Sequence, residues 1–483
     1  MLRHPEYYLE KLSPANLETI LKGSLWLLEK TGLLVQDEEL WAEVRAKAGP
    51  GVAPGDDHRL RFKPETALEL AAQAPPVWRY QARKAARALD MGSPNLHVAP
   101  GYGSVFVVDV EGRRREALFE DYIRLTRLSQ ASPLIDLCSA ISVEPSDVPV
   151  DKRAEVMTAA LLLNSDKPIM GAVTGAEGAA KSFEAAEIIL GDIQGRPWLL
   201  GLINVNSPLR LDERMAGALR IYLKKGQPII FTPGATMGVT GPATVSGNMA
   251  QSYADLIGAT ALCQIVRPGH PVIVGNGGFG GNLHTGNPGY GRPENALAAI
   301  IGAQMARRLS LPYRCSAAVT SAMSPDGRAA LEHSVTAAGA WTGGASLALQ
   351  AAGILDSINS MSFEQFVIDL EIWGYFERLS RPVEVDAEHL ALDLIAEAPS
   401  SYMAAPHTMK HFRQEIYEPI FGKPQKPENI RKVNDLAVER LAALEARDPE
   451  IEPVDPAAVS ELKKYLIGGD SSFADFVNKY FQE

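Results

Sequence analysis

The sequence predicts an α/β fold, a (β/α)8 barrel of the TIM type with an N-terminal helical cap and a C-terminal helical extension. Three observations predict it. Short apolar runs recur through the middle of the chain, most of them opened by proline. An amphipathic stretch follows each run, so strands and helices alternate. No GxGxxG follows the first run to mark an open dinucleotide-binding sheet; Gly101 and Gly103 make a GxG only. Strict alternation implies a parallel sheet, and right-handed crossovers let such a sheet stay open or close into a barrel.

The runs are LIDLCSAIS (134–142), KPIMGAVTG (167–175), RPWLLGLINVNS (196–207), QPIIFTPG (227–234), HPVIVGNGG (270–278) and LPYRCSAAVTS (311–321). Continuous apolar runs this short, bounded by Gly and Pro, read as strands buried on both faces. Proline at the first position of a strand loses little ladder pairing. Helical patterns fill the gaps at roughly 151–164, 178–191, 211–225, 244–266, 293–309 and 326–340. The third opens on Asp212 and Glu213 and closes on Lys224, Lys225 and Gly226. Acid first, base and glycine last is the order that the helix dipole and a left-handed C-cap favour. Segments 343–356 and 358–376 supply two more units, and HVAPGYGSVFVVDVEG (97–112) reads as a hairpin. Residues 1–96, with Pro-rich breaks at 50–55 and 74–76, form the cap, and 97–384 the catalytic barrel. Residues 385–483, broken by KPQKPEN (423–429) and RDPEIEPVDP (447–456), pack on it as the extension.

Composition narrows the function. The chain has 483 residues, 46% hydrophobic and 22% charged, with a net charge of −11 and no basic tract longer than Arg113-Arg114-Arg115. Nucleic acid, whose binding rests on basic groups neutralising phosphates, is therefore not an expected partner. Neither is a membrane, since no stretch nears the ~20 apolar residues of a span and MLRHPEYYLEKL has no secretory apolar core. Cys138, Cys263 and Cys315 lie too far apart in sequence for a disulfide framework or a compact metal motif. A reducing cytoplasm is the expected setting, and no metal is expected.

In a parallel barrel the chemistry sits where the strands end. The residues there are Thr174 and Gly175; Asn204, Asn206 and Ser207; Thr232 and Gly234; Asn276, Gly277 and Gly278; Thr320 and Ser321. They are small or amide side chains, without the His, Lys or carboxylate that proton transfer requires or the convergent ligands of a metal site. A reaction that needs positioning, with no acid or base, is expected. The loop GNGGFGGNLHTGNPGYG (275–291) interleaves eight glycines with Phe279, His284 and Tyr290. It lets backbone approach a large ligand closely, and it contains no phosphate-binding GxxxxGK[ST]. Tyr102, Phe279, Tyr290, Trp341 and Tyr402 are the aromatics expected on the upper face, and a quaternary ammonium, which has no N–H to donate, is held by aromatic faces.

The block SPLRLDERMAGALRIYLKKGQPIIFTPGATMGVTGPATVSGNMAQSYADLIGATALCQIVRPGHPVIVGN (207–276) resembles the trimethylamine methyltransferase family, as do SFEQFVIDLEI (362–372) and HTMKHFRQE (407–415). The resemblance runs from about residue 15 to 450. It implies a barrel whose open end receives a separate corrinoid protein, with a methyl group passing from an amine to Co(I) by in-line displacement. The trimethylamine enzymes carry pyrrolysine just before a Pro-Asp pair; the matching stretch here is TSAMSPDGR (320–328), with Ser324 in that place. The resemblance is therefore to the branch without pyrrolysine, demethylases of quaternary amines: glycine betaine first, then proline betaine, carnitine or γ-butyrobetaine. A quaternary nitrogen leaves as a neutral amine without protonation, in keeping with the uncharged strand ends.

The substrate-binding residues expected on this reading are Tyr102, Asn204, Asn206, Phe279, His284, Tyr290, His333 and Trp341. Those facing the corrinoid are Thr174, Gly234, Gly277, Gly278, Ser321 and Ser324. His284, His333, Arg314 and the backbone of 275–291 are candidates for the substrate carboxylate. The corrinoid (cobalamin) comes on a cognate partner protein and none is tightly bound, because no Asp-x-His-x-x-Gly cobalt-ligand segment is present. A homo-oligomer is expected. A metal-dependent barrel lyase or hydrolase, which would need a carboxylate/His cluster, and a non-catalytic betaine-binding barrel are the alternatives.

Overall fold

The computed structural model describes residues 2–275, 279–421, 430–447, 449–469 and 471–481. Seven parallel strands neighbour one another in the order Asn95–Val98, Leu347–Leu349, Tyr313–Ser316, Val272–Gly275, Ile229–Pro233, Leu199–Val205 and Ile169–Met170. The run at 136–138 closes the circle. Cys138 bridges Ile169 in parallel, and the Asp136 N–H donates to the Val98 carbonyl at 2.8 Å. All six apolar runs thus stand in one closed barrel. Between them lie helices Arg153–Asn164, Gly175–Leu190, Glu213–Lys225, Val245–Val266, Pro293–Arg308 and Gly327–Gly343. Asp212 caps the third as its charge pattern requires, Oδ1 accepting from the Met215 N–H at 2.8 Å, and Gly226 ends it at φ 65°.

Two readings need correction. The first barrel strand begins at Asn95, inside the segment read as the cap, and takes the opening residues of the supposed 97–112 hairpin. Its Asn-Leu-His-Val alternates polar and apolar, so no continuous apolar run betrays it. The hairpin that does form pairs Phe106–Val108 with Arg114–Glu116. At the other end, 343–356 yields the Leu347–Leu349 strand, but 358–376 yields the helix Phe363–Leu379.

Alternate strand residues turn inward. Leu200, Leu202, Ile230, Ile273, Leu347, Leu349 and Met170 fill the lower barrel together with Trp78, Tyr80, Leu89 and Met91. The last four belong to the antiparallel hairpin Trp78–Tyr80/Leu89–Met91, which seals the end where the strands begin. The Tyr80 hydroxyl donates to the Ile169 carbonyl at 2.5 Å. Outside the wall, the Tyr222 ring lies against two strand glycines; a Cβ on Gly201 would stand 2.6 Å from it. Beyond the barrel, helix Val433–Glu445 packs on Phe119–Ala131 and Phe363–Leu379, and Pro456–Ile467 packs on Gly175–Leu190. Among the described residues no helix is long and apolar enough to cross a membrane.

Candidate active site

Above the apolar floor the inward positions change character. Asn204 stands beside Thr232 in register, and Gly275 beside Arg314. Gly275 has to be glycine, since a Cβ there would lie 2.7 Å from the Phe231 carbonyl and 2.8 Å from Thr232 Oγ1. Asn204 is exposed although it lies in a central strand, because it faces the open mouth.

Arg314 is 2% exposed. Its Nη2 donates to Gln350 Oε1 at 3.0 Å, and the Ser316 hydroxyl donates to the same oxygen at 2.6 Å. Gln350 Nε2 in turn donates to the Tyr102 carbonyl at 3.2 Å. The Arg314 Nε has no partner, nor do the buried Tyr102 hydroxyl and Thr232 Oγ1. Among the described residues no carboxylate pairs with this guanidinium. Burial pulls its pKa down, and the groups opposing that are thiol and phenols: Cys315, Tyr290, Tyr313 and Tyr102. Burial also pushes the Tyr102 phenol up to about 12, against the nearby Arg314. A buried charge is normally paired; here no pairing carboxylate stands among the described residues.

The rim is built from the strand-end loops. Gly234 is exposed. A flap, Phe279–Gly281 against Pro288–Gly289, joins the Thr236–Met237 strand. His284 lies exposed in the turn of that flap, its N–H donating to Asn282 Oδ1 at 3.0 Å. Val239, Leu283 and Met323 also stand out of the rim, exposed at 44%, 78% and 59%. Thr174 is exposed at the lip of a cavity of about 220 Å³ that Ala140, Met157 and Ala172 also line. Glu332 holds the loop after Tyr313–Ser316, accepting from Thr320 Oγ1 at 2.5 Å and from the Ser321 N–H at 3.0 Å. Ser324, half-buried, lies further along that loop beside Gly112. Asp255, buried behind the third run, accepts from Ser207 Oγ at 2.5 Å and the Leu209 N–H at 2.6 Å. Burial pushes its carboxyl up to about 7.

Tyr102, Asn204, Thr232 and Arg314 therefore gather inside the mouth, with Tyr290 next to Arg314. Other expected residues do not. Asn206 turns aside, Nδ2 donating to Asp212 Oδ2 at 2.6 Å. His333 is fully buried between helices, Nδ1 against Asp369 Oδ1 at 2.5 Å. Trp341 sits in the last turn of a helix descending to the sealed end, its indole N–H donating to the Arg3 carbonyl at 2.8 Å. Tyr402 lies on a C-terminal segment that starts at that same end. Gly277, Gly278 and the side chain of Phe279 lie outside the described residues, as does Asn276. Gln350 and Ser316 were missed. The signal was in the strand YRCS, where Arg314 and Ser316 share one face at period two.

The trimethylamine methyltransferase (MTTB) family model matches residues 1–469. The chain is 31% identical over 423 residues to a glycine betaine methyltransferase of Desulfitobacterium hafniense (strain Y51), covering 86% of this chain and 87% of that protein. To an L-carnitine:corrinoid methyltransferase of Eubacterium limosum it is 24% identical over 436 residues, 86% and 88% of the two chains. In fold it is similar to the crystal structure of the monomethylamine methyltransferase of Methanosarcina barkeri, with a TM-score of 0.54 and 12% identity over 90% and 89% of the two chains. The chain belongs to the trimethylamine methyltransferase family.

Proposed function

We propose that this family member takes a methyl group from a quaternary amine that bears a carboxylate, glycine betaine first, and delivers it to a corrinoid on a separate protein. The observation that carries the reading is Arg314, a buried guanidinium inside the barrel with no carboxylate of its own among the described residues. A substrate carboxylate supplies the missing counter-charge. Arg314 Nε and the Tyr102 hydroxyl, both without partners, are the donors placed to receive it. The relatives' names support the same class, since they act on glycine betaine and on carnitine. Ser324, where trimethylamine enzymes carry pyrrolysine, supports a substrate other than trimethylamine.

The chain's residues bind, orient and exclude water. Arg314 and Tyr102 fix the anionic end; Asn204, Thr232 and Tyr290 surround the ammonium, whose face contact with one phenol gives ~0.5–2 kcal/mol. No group moves a proton, because the departing amine is neutral. Holding the methyl carbon in line and dry is the whole contribution. A Co(I) corrinoid, when docked, supplies the nucleophile. The mouth suits it: Thr174, Gly234, Ser321 and Ser324 offer small neutral surface, and exposed Val239, Leu283 and Met323 offer the apolar contacts a partner's face requires. Three buried free cysteines fit a reducing cytoplasm.

The test is turnover with Co(I) corrinoid of glycine betaine, proline betaine, carnitine and trimethylamine, each with purified enzyme. Glycine betaine is expected to be demethylated and trimethylamine to be inert. Turnover of trimethylamine alone overturns the reading; turnover of carnitine or proline betaine alone keeps the class and removes glycine betaine.

A further inference from the structure

Between Arg381 and Ile416 the chain leaves the body. Of these residues only His411 is buried, while ten large apolar side chains are exposed. Val383 is 82% exposed, Leu392 63%, Ile395 52%, Met403 84%, Met409 73% and Phe412 51%. The segment is nonetheless structured, with helices Ala387–Leu390, Leu392–Ala396 and Pro406–Glu415. Its two legs meet through a few polar contacts and the edge of the His389 ring on His411, centroids 4.9 Å apart. Glu388 takes Lys410 and, at 3.1 Å, His411 Nε2, and its carbonyl lies 3.1 Å from His407 Nε2. Helices this short are not stable on their own, so the apolar side chains need a surface that the described residues of one copy do not provide.

We propose that the 381–416 arm is the self-association element of this protein, burying its apolar face against a second copy of the same chain. Position selects this occupant over the corrinoid protein. Helix Phe363–Leu379 follows the last strand and runs back towards the sealed end, where Phe376 packs on Trp341 at 5.5 Å. The arm leaves from there and returns there: Arg378 Nε donates to the Glu415 carbonyl at 2.8 Å and Arg381 Nη1 to the Gln414 carbonyl at 3.1 Å. A corrinoid must reach the opposite, open end. Area points the same way. Ten such side chains together expose on the order of 1,000 Å², enough for the ~800 Å² per partner that a stable interface takes. Charge fits a two-fold pairing as well. Residues 383–398 carry five acids and no Lys or Arg, whereas 406–413 carry Lys410 and Arg413 and no acid. Glu384, Asp393, Glu397 and Arg413 form no ion pair within one copy among the described residues. An isologous contact lays the acidic leg of one copy on the basic leg of the other.

Sedimentation velocity and light scattering on the full chain test this. The wild type is expected to sediment as a dimer or a multiple of it. The triple variant Leu392→Glu/Met409→Glu/Phe412→Glu should halve that mass while keeping its far-UV circular dichroism and its methyl-transfer activity. Trp26→Glu, at an equally exposed apolar site off the arm, should leave the mass unchanged. Amide exchange of 383–413 in the wild type gives a reading that does not depend on the variant folding: protection should fall on dilution as the copies separate. A triple variant of wild-type mass overturns the proposal. So does a monomeric wild type whose arm exchanges freely, or whose arm becomes protected only when corrinoid protein is added.

Discussion

Replacing Arg314 with Met tests the substrate reading through two measurements that move in opposite directions. The guanidinium is 2% exposed, with Gln350 Oε1 at 3.0 Å as its acceptor and Nε unpartnered. When substrate is bound, removing one half of a desolvated charge pair costs ~2–5 kcal/mol, so kcat/KM for glycine betaine should fall roughly 30- to 5,000-fold. In the free enzyme the same change removes a buried charge that no carboxylate among the described residues balances, and an apolar group in place of buried ionic groups is often neutral or stabilising. The melting temperature should therefore hold or rise. Met retains the length of the side chain, and Gln350 keeps the Ser316 hydroxyl as a donor at 2.6 Å. Arg314→Lys should fall between, keeping the charge and losing the fork. Initial rates of Co(I) corrinoid methylation and calorimetric unfolding are the assays. A variant that melts well below wild type while keeping its kcat/KM refutes the assignment, because Arg314 would then be a structural group.

The remaining expectations concern neighbours of the site. Tyr102→Phe removes an unpartnered hydroxyl and should cost about 1.5 kcal/mol, roughly tenfold in kcat/KM; unchanged kinetics would remove Tyr102 from the carboxylate pocket. Asp255 has a folded pKa of about 7 against 3.8 unfolded. Being raised, it contributes stability that is whole below 3.8 and is lost as pH rises to about 7, at up to ~1.4 kcal/mol per pH unit. Urea melts of wild type and Asp255→Asn should therefore diverge across that window, the wild type losing ground with rising pH; a constant gap counts against it. Gly201→Ala would put a Cβ 2.6 Å from the Tyr222 ring and should cost ~1–3 kcal/mol by overpacking, read as a lower melting temperature; an unshifted melt would mean the ring has room to move.

The barrel was legible because its strands are buried on both faces. Burial forces continuous apolar runs, and proline and glycine mark their ends, as at Pro228 and Gly234. The first strand escaped because Asn95 and His97 interrupt its apolar residues, and 358–376 was taken for a full unit because helix and strand patterns merge there. The candidate site was legible only by position. Asn204 and Thr232 follow from the rule that strand ends carry chemistry. Trp341 and His333 were misplaced because a helix has both a mouth end and a sealed end, and composition does not say which turn is which. Gln350 is 36 residues from Arg314, so nothing local could join them. The exposed arm was invisible for a different reason: its Val, Leu, Ile and Met pattern is that of a packed helix, and only the three-dimensional surroundings show these side chains exposed among the described residues.

The sealed floor, the deep cation and the open rim together fix which way a substrate lies. Arg314 repels a bare ammonium: two like charges ~6 Å apart at an effective dielectric of ~20 cost roughly 3 kcal/mol. On the proposed reading a zwitterion escapes this by turning its carboxylate down to the guanidinium, which would leave its methyl groups pointing to the rim proposed for the corrinoid. Orientation thus follows from charge order along the barrel axis. Choline has the same trimethylammonium head and no carboxylate, so it meets the repulsion without the compensation. It should bind the wild type poorly, and Arg314→Met should tighten its binding by tenfold or more while glycine betaine weakens. Isothermal titration of both ligands against both proteins reads the crossover directly. Parallel loss of both ligands would show that Arg314 shapes the pocket without acting through its charge.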